Sequence, residues 1–417
     1  MRKKTWFKRL LVPMLVAALC LSGSAVLAAT MIKVGGIMDT TGATSDVGRD
    51  YALGIQEAIA YVNDHGGIDG RGKVKIQLIW EDYAYRIPQA VTLYKRLKRI
   101  EKVVAILGWG TGDTEALART VSVDKMPYVS ASYSAHLTDP KKTPYNLFFA
   151  PDYSTMARSA MIAWYYKVWK PKGLKRAPRF MCFYATNSAY ARAPIKALKD
   201  QAKRLGFVIG KDQHVSLTAT DCKGQVLAAL QFKPDLVWHG NTTGAVAAAI
   251  KSAYVLKLGA DHIVNNWGYD ENLPKLAGRA AEGVIGPAPC AFFMGRGKLM
   301  DQVHKYAKKL HPNVPFSDRL IRTVQAWGDV IVLWEAMKRA YKKGKLTGES
   351  ILKKGFETMR NFQVGLGARP VTYTPTDHRA ASGVNVFRIK NGRFVPLMTV
   401  DLKKMYPKQW ASEWIGW

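Results

Sequence analysis

The stretch Gly108-Trp109-Gly110-Thr111-Gly112-Asp113-Thr114 is the part of this sequence best suited to hold a charged small molecule. It leaves a short apolar run and enters a helical one, so unbonded backbone N–H groups and the positive end of a helix dipole meet there, an arrangement that favours an anion such as a carboxylate. Its glycines resemble a dinucleotide fingerprint, but G-x-G-x-x-G fails at Asp113 and the loop follows the third strand, which argues against a nucleotide. Ser130-Ala131-Ser132-Tyr133-Ser134 offers a row of hydroxyls. No G-x-S-x-G elbow surrounds them and no activating base is identifiable, so a serine hydrolase is not expected, and an ordinary polar turn accounts for them equally well. Cys182, Cys222 and Cys290 contain no CxxC pair and the eight histidines are scattered, so neither a zinc site nor any cofactor is implied. Tyr83, Tyr85, Trp109, Tyr133, Trp267 and Tyr269 all fall in or near loops that should face a cleft, the composition of an apolar, aromatic-lined pocket with a few polar anchors.

The elements that must position these loops follow an alternating pattern. Short apolar runs at Ile32 to Met38, Val74 to Trp80 and Val103 to Leu107 read as strands. Between them, Tyr51 to Asn63 carries Leu53, Ile55, Ala58, Ile59 and Val62 at helical spacing, with Gly66-Gly67 as the stop, and Pro88 to Ile100 is a helix with a basic outer face. A further helix is expected over Thr114 to Val123. The alternation starts again after Pro151, with strands at Phe180 to Tyr184, Leu236 to Trp238 and His262 to Asn265. Arg319 to Lys343 is a long helical segment, and Gly383 to Ile389 with Arg393 to Val400 predicts a hairpin around Asn391-Gly392. Strands alternating with helices mean an α/β architecture with parallel sheets, and the restart after Pro151 implies two similar halves.

The first 29 residues have the plan of an export signal. Arg2, Lys3, Lys4, Lys8 and Arg9 precede an uncharged stretch from Leu10 to Leu21, and Ser24-Ala25-Val26-Leu27-Ala28-Ala29 supplies small residues for cleavage after Ala28 or Ala29. An uncleaved membrane anchor is the competing reading, because Leu10 to Ala29 nearly reaches bilayer-spanning length. A lipoprotein is less well supported, since Leu19 precedes Cys20 where a small residue is wanted. Beyond the signal, three cysteines in a disulfide-permissive compartment leave at least one thiol unpaired within a monomer. The net charge is +31, or +26 without the five signal cations. The basic runs at Lys95 to Lys102, Lys170 to Arg179 and Lys338 to Lys345 are read as solvated helix faces and loops, not as a nucleic-acid patch, because the chain is exported.

In this order, the segments resemble the type I periplasmic binding proteins, and within them the branched-chain amino-acid group typified by the leucine/isoleucine/valine-binding protein. The opening "IKVGGIMDTTGATSDVGRDYALGIQEAIAYVNDHGGIDG", the block "EDYAYRIPQAVTLYKRL", the loop "VVAILGWGTGDT" and the ending "VTYTPTDHRAASGVNVFRIKNGRF" carry the resemblance, which spans essentially the whole mature chain. It implies two doubly wound Rossmann-like lobes joined by three crossover strands, closing on a ligand like a hinged clamp. Lobe 1 would be residues 31–150 plus 291–372, and lobe 2 residues 151–290 plus 373–417.

The same resemblance implies the site. Thr111 and Thr114 would supply hydroxyls to a ligand carboxylate, with Gly112 standing where the family has its main serine; Trp109 and Tyr83 join them as loop aromatics expected to line the pocket. Ser132, Tyr133 and Ser134 would complete the carboxylate site. Tyr190 matches a ligand-contacting tyrosine, Asn241 and Thr242 follow a strand into the cleft, and Trp267 and Asp270 lie where the family's acidic residue meets a ligand ammonium. Asp270 would equally well cap the helical turn at Leu273 to Leu276. The expectation is a periplasmic, non-catalytic and monomeric solute-binding protein. It would capture a carboxylate ligand, a branched-chain or other apolar amino acid, and deliver it to an inner-membrane ABC permease. Aromatic or related carboxylic acids are the alternative ligands, and a sensor on the same fold is the alternative role.

Overall fold

The computed structural model describes residues 29–417; the basic and apolar start, with Cys20 and Ala28, lies outside the described residues. The chain builds two open sheets. The first contains β1 (Thr30–Met38), β2 (Val74–Asp82), β3 (Ile106–Gly108), β4 (Tyr128–Ser130) and β5 (Asn146–Leu147), in the order β2-β1-β3-β4-β5 and parallel throughout. The second contains β6 (Arg179–Tyr184), β7 (Val208–Ile209), β8 (Gln213–His214), β9 (Leu236–Gly240), β10 (Asp261–Val264) and β11 (Ile285–Ala288), all parallel, then β12 (Gly383–Lys390) and β13 (Arg393–Asp401), which add antiparallel at one edge. Apolar runs such as Phe180–Tyr184, buried from end to end, are what a strand covered on both faces requires.

Helices cover both sheets. Those before the second sheet are α1 (Ser45–Asp64), α2 (Ile87–Arg99), α3 (Thr111–Val123) and α4 (Tyr153–Trp164). Within it lie α5 (Ala189–Arg192), α6 (Ile195–Arg204), α7 (Lys223–Phe232), α8 (Thr243–Val255) and α9 (Asn272–Ala277). Then come α10 (Lys298–Leu310), α11 (Ile321–Lys342), α12 (Gly348–Ser350), α13 (Leu402–Met405) and α14 (Pro407–Ser412). After β11 the chain returns to the first sheet, where α10 and α11 pack on α1, before β12 rejoins the second. The α1–α11 contact is close because Gly54 has no side chain: a Cβ there would lie 2.7 Å from the Thr323 carbonyl oxygen. Buried charge knits the same seam, with Arg319 donating to Asp50 at 2.7 Å and to Glu57 at 2.8 Å.

The expected strands and helices are present with shifted ends. α1 begins at Ser45 and α3 at Thr111, three residues ahead of the helix expected from Thr114. The residue that starts α3 therefore lies in the loop that follows β3. Cys182, Cys222 and Cys290 are all buried and unbridged. Among the described residues no helix is long and apolar enough to cross a membrane, and no cluster of His, Cys, Asp and Glu could hold a metal ion.

Candidate functional site

The carboxyl ends of β3, β4, β6, β9 and β10 converge on one small chamber between the two sheets, as ligand sites in open α/β sheets do. From the first sheet come Trp109, Gly110 and Thr111 after β3 and Ala131 after β4, with Thr44 and Val47 from the start of α1 and Tyr85 from the turn after β2. Tyr190, Thr242 and Trp267 come from the loops of the second sheet, and Tyr153 from the first turn of α4. The chamber has a volume of about 20 Å³, room for about one water molecule. The two lobes thus meet closely around the chamber.

Five aromatic rings form the walls, and each is pinned. Trp109 donates from Nε1 to the Thr44 hydroxyl at 2.8 Å, and Thr44 in turn donates to the buried carboxylate of Asp39 at 2.6 Å. The ring of Trp109 meets Trp267 edge to face at 4.8 Å between centroids. Trp267 donates to the Tyr153 hydroxyl at 2.9 Å, which donates on to the Ala131 carbonyl oxygen at 3.1 Å. Tyr190 packs edge to face on Tyr153 and donates to the Asn241 carbonyl oxygen at 3.2 Å. Tyr85 sits on a strained turn: Ala84 and Tyr85 hold φ of 51° and 55°, left-handed values that cost about 1–3 kcal/mol each for such residues. The Asp82 carboxylate secures that turn by accepting from the Ala84 and Thr40 amides.

Polar groups reach the chamber at two points. Gly110 caps α3 and Thr111 opens it, with the Ser132 hydroxyl donating to Thr111 Oγ1 at 3.0 Å. Opposite them Thr242 caps α8, and its hydroxyl is buried without a partner. Two helix amino-termini therefore face one cavity, and no acidic or basic side chain lines it. Gly110 has no substitute, because a Cβ there would stand 2.2 Å from Asp113 Oδ1 and 2.3 Å from the Tyr83 hydroxyl. Outside the chamber, Asp46 of α1 accepts from the Gly244 amide of α8 at 3.1 Å, a direct bond from one lobe to the other.

The chamber thus brings together Trp109, Thr111, Tyr190, Thr242 and Trp267 of the expected residues, with Ser132 directly behind Thr111. The others lie elsewhere. Asp270 is fully buried and already engaged: Oδ2 accepts from Arg322 at 2.9 Å and from Thr243 at 2.6 Å, and Oδ1 accepts from the Asn272 amide at the start of α9. Its charge neutralises Arg322, whose guanidinium lies over the outer face of Trp267 at 4.9 Å, so it is not open to a ligand ammonium. Tyr83 donates to Asp113 behind Gly110, Thr114 donates back to the Gly110 carbonyl oxygen, and Ser134 donates to Glu115. Gly112 faces a separate crevice at the mouth, beside Ile87 and Ala189. Tyr133 stacks behind Trp267, and Asn241 braces Ala185, Val215 and Ser216 through its side-chain amide. Of the other two loop aromatics, Tyr85 reaches the chamber, whereas Tyr269 packs on Phe394.

Thr44, Val47 and Tyr153 were missed. Tyr153 follows Asp152, whose carboxylate accepts from the Thr155 amide as an N-cap, so the Asp-x-x-Thr pattern was the available signal.

A family model described as "Periplasmic binding protein" matches residues 31–393. Comparison with curated proteins gives no match. Among solved structures, an ABC transporter substrate-binding protein from Aeropyrum pernix is 31% identical, with 89% of this chain and 96% of that one covered at a TM-score of 0.82. A branched-chain amino-acid ABC transporter protein from Thermus thermophilus with bound valine is 20% identical, covering 91% and 100% at a TM-score of 0.82. A solute-binding protein from Rhodopseudomonas palustris HaA2, in complex with p-hydroxybenzoic acid, is 18% identical, covering 89% and 97% at 0.72. The last two show the fold alone.

Proposed function

We propose, for a chain that belongs to the periplasmic binding protein family and is an extracytoplasmic, non-enzymatic substrate-binding protein of an ABC transporter, that its ligand is a small aromatic carboxylic acid. The observation that carries this reading is the composition of the chamber: five aromatic rings, two helix amino-termini and not one acidic side chain. Aromatic walls take up a flat apolar body, and the N–H groups and hydroxyls at Gly110, Thr111 and Thr242 suit a carboxylate. An apolar α-amino acid needs in addition a partner for its ammonium, since an unpaired buried charge is costly. Asp270, expected for that role, is bonded to Arg322. The binding of p-hydroxybenzoic acid by one structural neighbour is in line with this reading, while the valine bound by another marks the competing class.

In this account the lobes, residues 31–150 with 291–372 and residues 151–290 with 373–417, part and close about the three crossing segments. The aromatic body rests against the rings of Tyr85, Trp109, Tyr153, Tyr190 and Trp267, with the lobes closed on it less far than in this structure, whose chamber has room for about one water molecule. The closed monomer then presents surfaces of both lobes to the permease, after export and cleavage near Ala28 or Ala29. A thermal-shift screen of residues 29–417 tests the ligand class. A ligand at 100 times its Kd adds about 2.7 kcal/mol to the folded state. Benzoate and its ring-substituted relatives are expected to raise Tm, and leucine and valine to leave it unchanged; the reverse pattern would replace the aromatic acid by an apolar amino acid.

A further inference from the structure

The chamber lies at the carboxyl ends of the second sheet's strands; the turns at their amino ends form a basic pole on the opposite side. Between α4 and β6 stand Lys167, Lys170, Lys172, Lys175 and Arg176, all exposed. The turns before β9, β10 and β11 add Lys233, Lys257 and Arg279, and the β12–β13 hairpin, whose Ile389 carbonyl oxygen accepts from the Gly283 amide, adds Lys390 and Arg393. The carboxylates of these turns are already engaged: Asp235 accepts from Arg176 at 2.6 and 2.7 Å, Asp261 from the Trp164 indole at 3.0 Å and Glu282 from the Asn391 amide at 2.8 Å. Positive charge is not spread evenly over the molecule. In the turns before β2, β3 and β4 of the first sheet, Arg71, Lys73, Lys102 and Lys125 are met by Asp69, Glu101 and Asp124.

Apolar side chains stand exposed among these cations. They are Tyr166 and Leu174 before β6, Val208 at the start of β7, and Tyr254 and Val255 at the end of α8. Leu174 is 47% exposed beside Gly173, which turns the loop with a φ of 66° and has open space where a Cβ would point, so the tip stands clear of the fold. Under the tip, the buried Trp169 ring carries Lys172 and Arg176 at 5.6 and 5.1 Å, which holds those cations in place. We infer that this pole rests on an anionic phospholipid layer. Headgroup phosphates match the unpaired lysines, and the acyl boundary beneath them takes up Leu174 and Tyr166, a combination that a soluble polyanion does not offer. Contact at the amino ends of the strands leaves the chamber clear, and it holds an extracytoplasmic binding protein on the surface in which its permease lies. The inference does not depend on what the chamber holds.

Vesicle co-sedimentation of residues 29–417 tests the inference, comparing phosphatidylcholine vesicles with vesicles that also contain phosphatidylglycerol, in sodium chloride at about 0.1 M and about 0.5 M. Binding is expected to the mixed vesicles alone, and about tenfold or more weaker at the higher salt. A lysine near an anionic surface contributes about fivefold, so Lys170→Gln combined with Lys175→Gln should weaken binding about thirtyfold. The same loss of charge at the other pole, Lys73→Gln combined with Lys102→Gln, should leave affinity within about twofold. Leu174→Ser should weaken it about threefold to tenfold through the lost apolar contact. All of these are exposed side chains, so the variants keep the fold. No binding to the mixed vesicles, or equal losses in the two lysine pairs, would overturn the assignment. Affinity untouched by Leu174→Ser would mark a pole that reads charge alone, as for a soluble acidic partner, and would overturn the lipid assignment as well.

Discussion

Replacing Asp270 by Asn separates the aromatic-acid reading from the amino-acid one, because the two assign that carboxylate opposite jobs. In the structure it neutralises Arg322 in a fully buried pair. Asn keeps the shape but not the charge, and breaking a buried pair by removing one partner costs about 3–5 kcal/mol. With an unfolding entropy of about 2.1 cal/mol/K per residue, a chain of this length loses about 4–6 °C of Tm, read by differential scanning calorimetry. The effect on binding is the informative part. An uncompensated Arg322 behind Trp267 attracts an anionic ligand by about 1–2 kcal/mol at most, so calorimetric titration with an aromatic acid should show affinity unchanged or raised up to about thirtyfold. A variant with unaltered Tm whose ligand affinity falls about a hundredfold would refute the reasoning, since Asp270 would then contact the ligand and not Arg322.

Three further outcomes are expected. Thr111→Val removes a hydroxyl from the carboxylate end, and a bond to a charged group is worth about 1.5–3 kcal/mol, so Kd for the acid should rise about tenfold to a hundredfold with the circular dichroism spectrum unchanged. Asp46→Ala deletes the bond from α1 to the Gly244 amide of α8; with about 0.5–1.5 kcal/mol of closed-state preference gone, ligand release should quicken about twofold to tenfold in stopped-flow fluorescence, and small-angle scattering should show a wider ligand-free form. Burial, with Asp39 nearby, raises the Asp113 carboxyl from 3.8 to about 7. The folded chain then holds a proton that the unfolded chain releases near pH 4, so this group's contribution to stability is full below about pH 4 and declines as pH rises toward 7. Asp113→Asn should therefore gain on the unaltered chain between about pH 5 and 8 in urea midpoints, and a constant difference across that range would contradict the assignment.

Much of the fold was legible because it rests on local rules. Val74 to Trp80 and Phe180 to Tyr184 read as strands, the second buried from end to end, Gly66-Gly67 marked the end of α1 with φ of 92° and 58°, and Asn391-Gly392 placed the last hairpin. α4 was not read from the sequence although Ser154, Thr155, Arg158 and Ser159 recur at helical spacing; all its residues from Tyr153 to Trp164 are buried, so that spacing marks no solvent face. The site was legible at the strand ends, where Trp109, Thr111, Tyr190, Thr242 and Trp267 follow from the topology of parallel sheets. It failed where the answer depends on a partner distant in sequence. Nothing near Asp270 announces Arg322, 52 positions away on α11, and nothing near Tyr83 announces Asp113. Thr44 and Val47 reach the chamber only because α1 begins six residues earlier than its apolar spacing indicates.

The most direct measurement compares phenylacetate with phenylglycine by calorimetric titration, two ligands with the same ring and carboxylate that differ in one ammonium. A chamber with aromatic walls and no acidic side chain should bind phenylacetate about tenfold or more tighter, since the buried ammonium of phenylglycine finds no partner and such a loss exceeds about 1.4 kcal/mol. Tighter binding of phenylglycine would show that an ammonium is recognised in the chamber and would contradict the account.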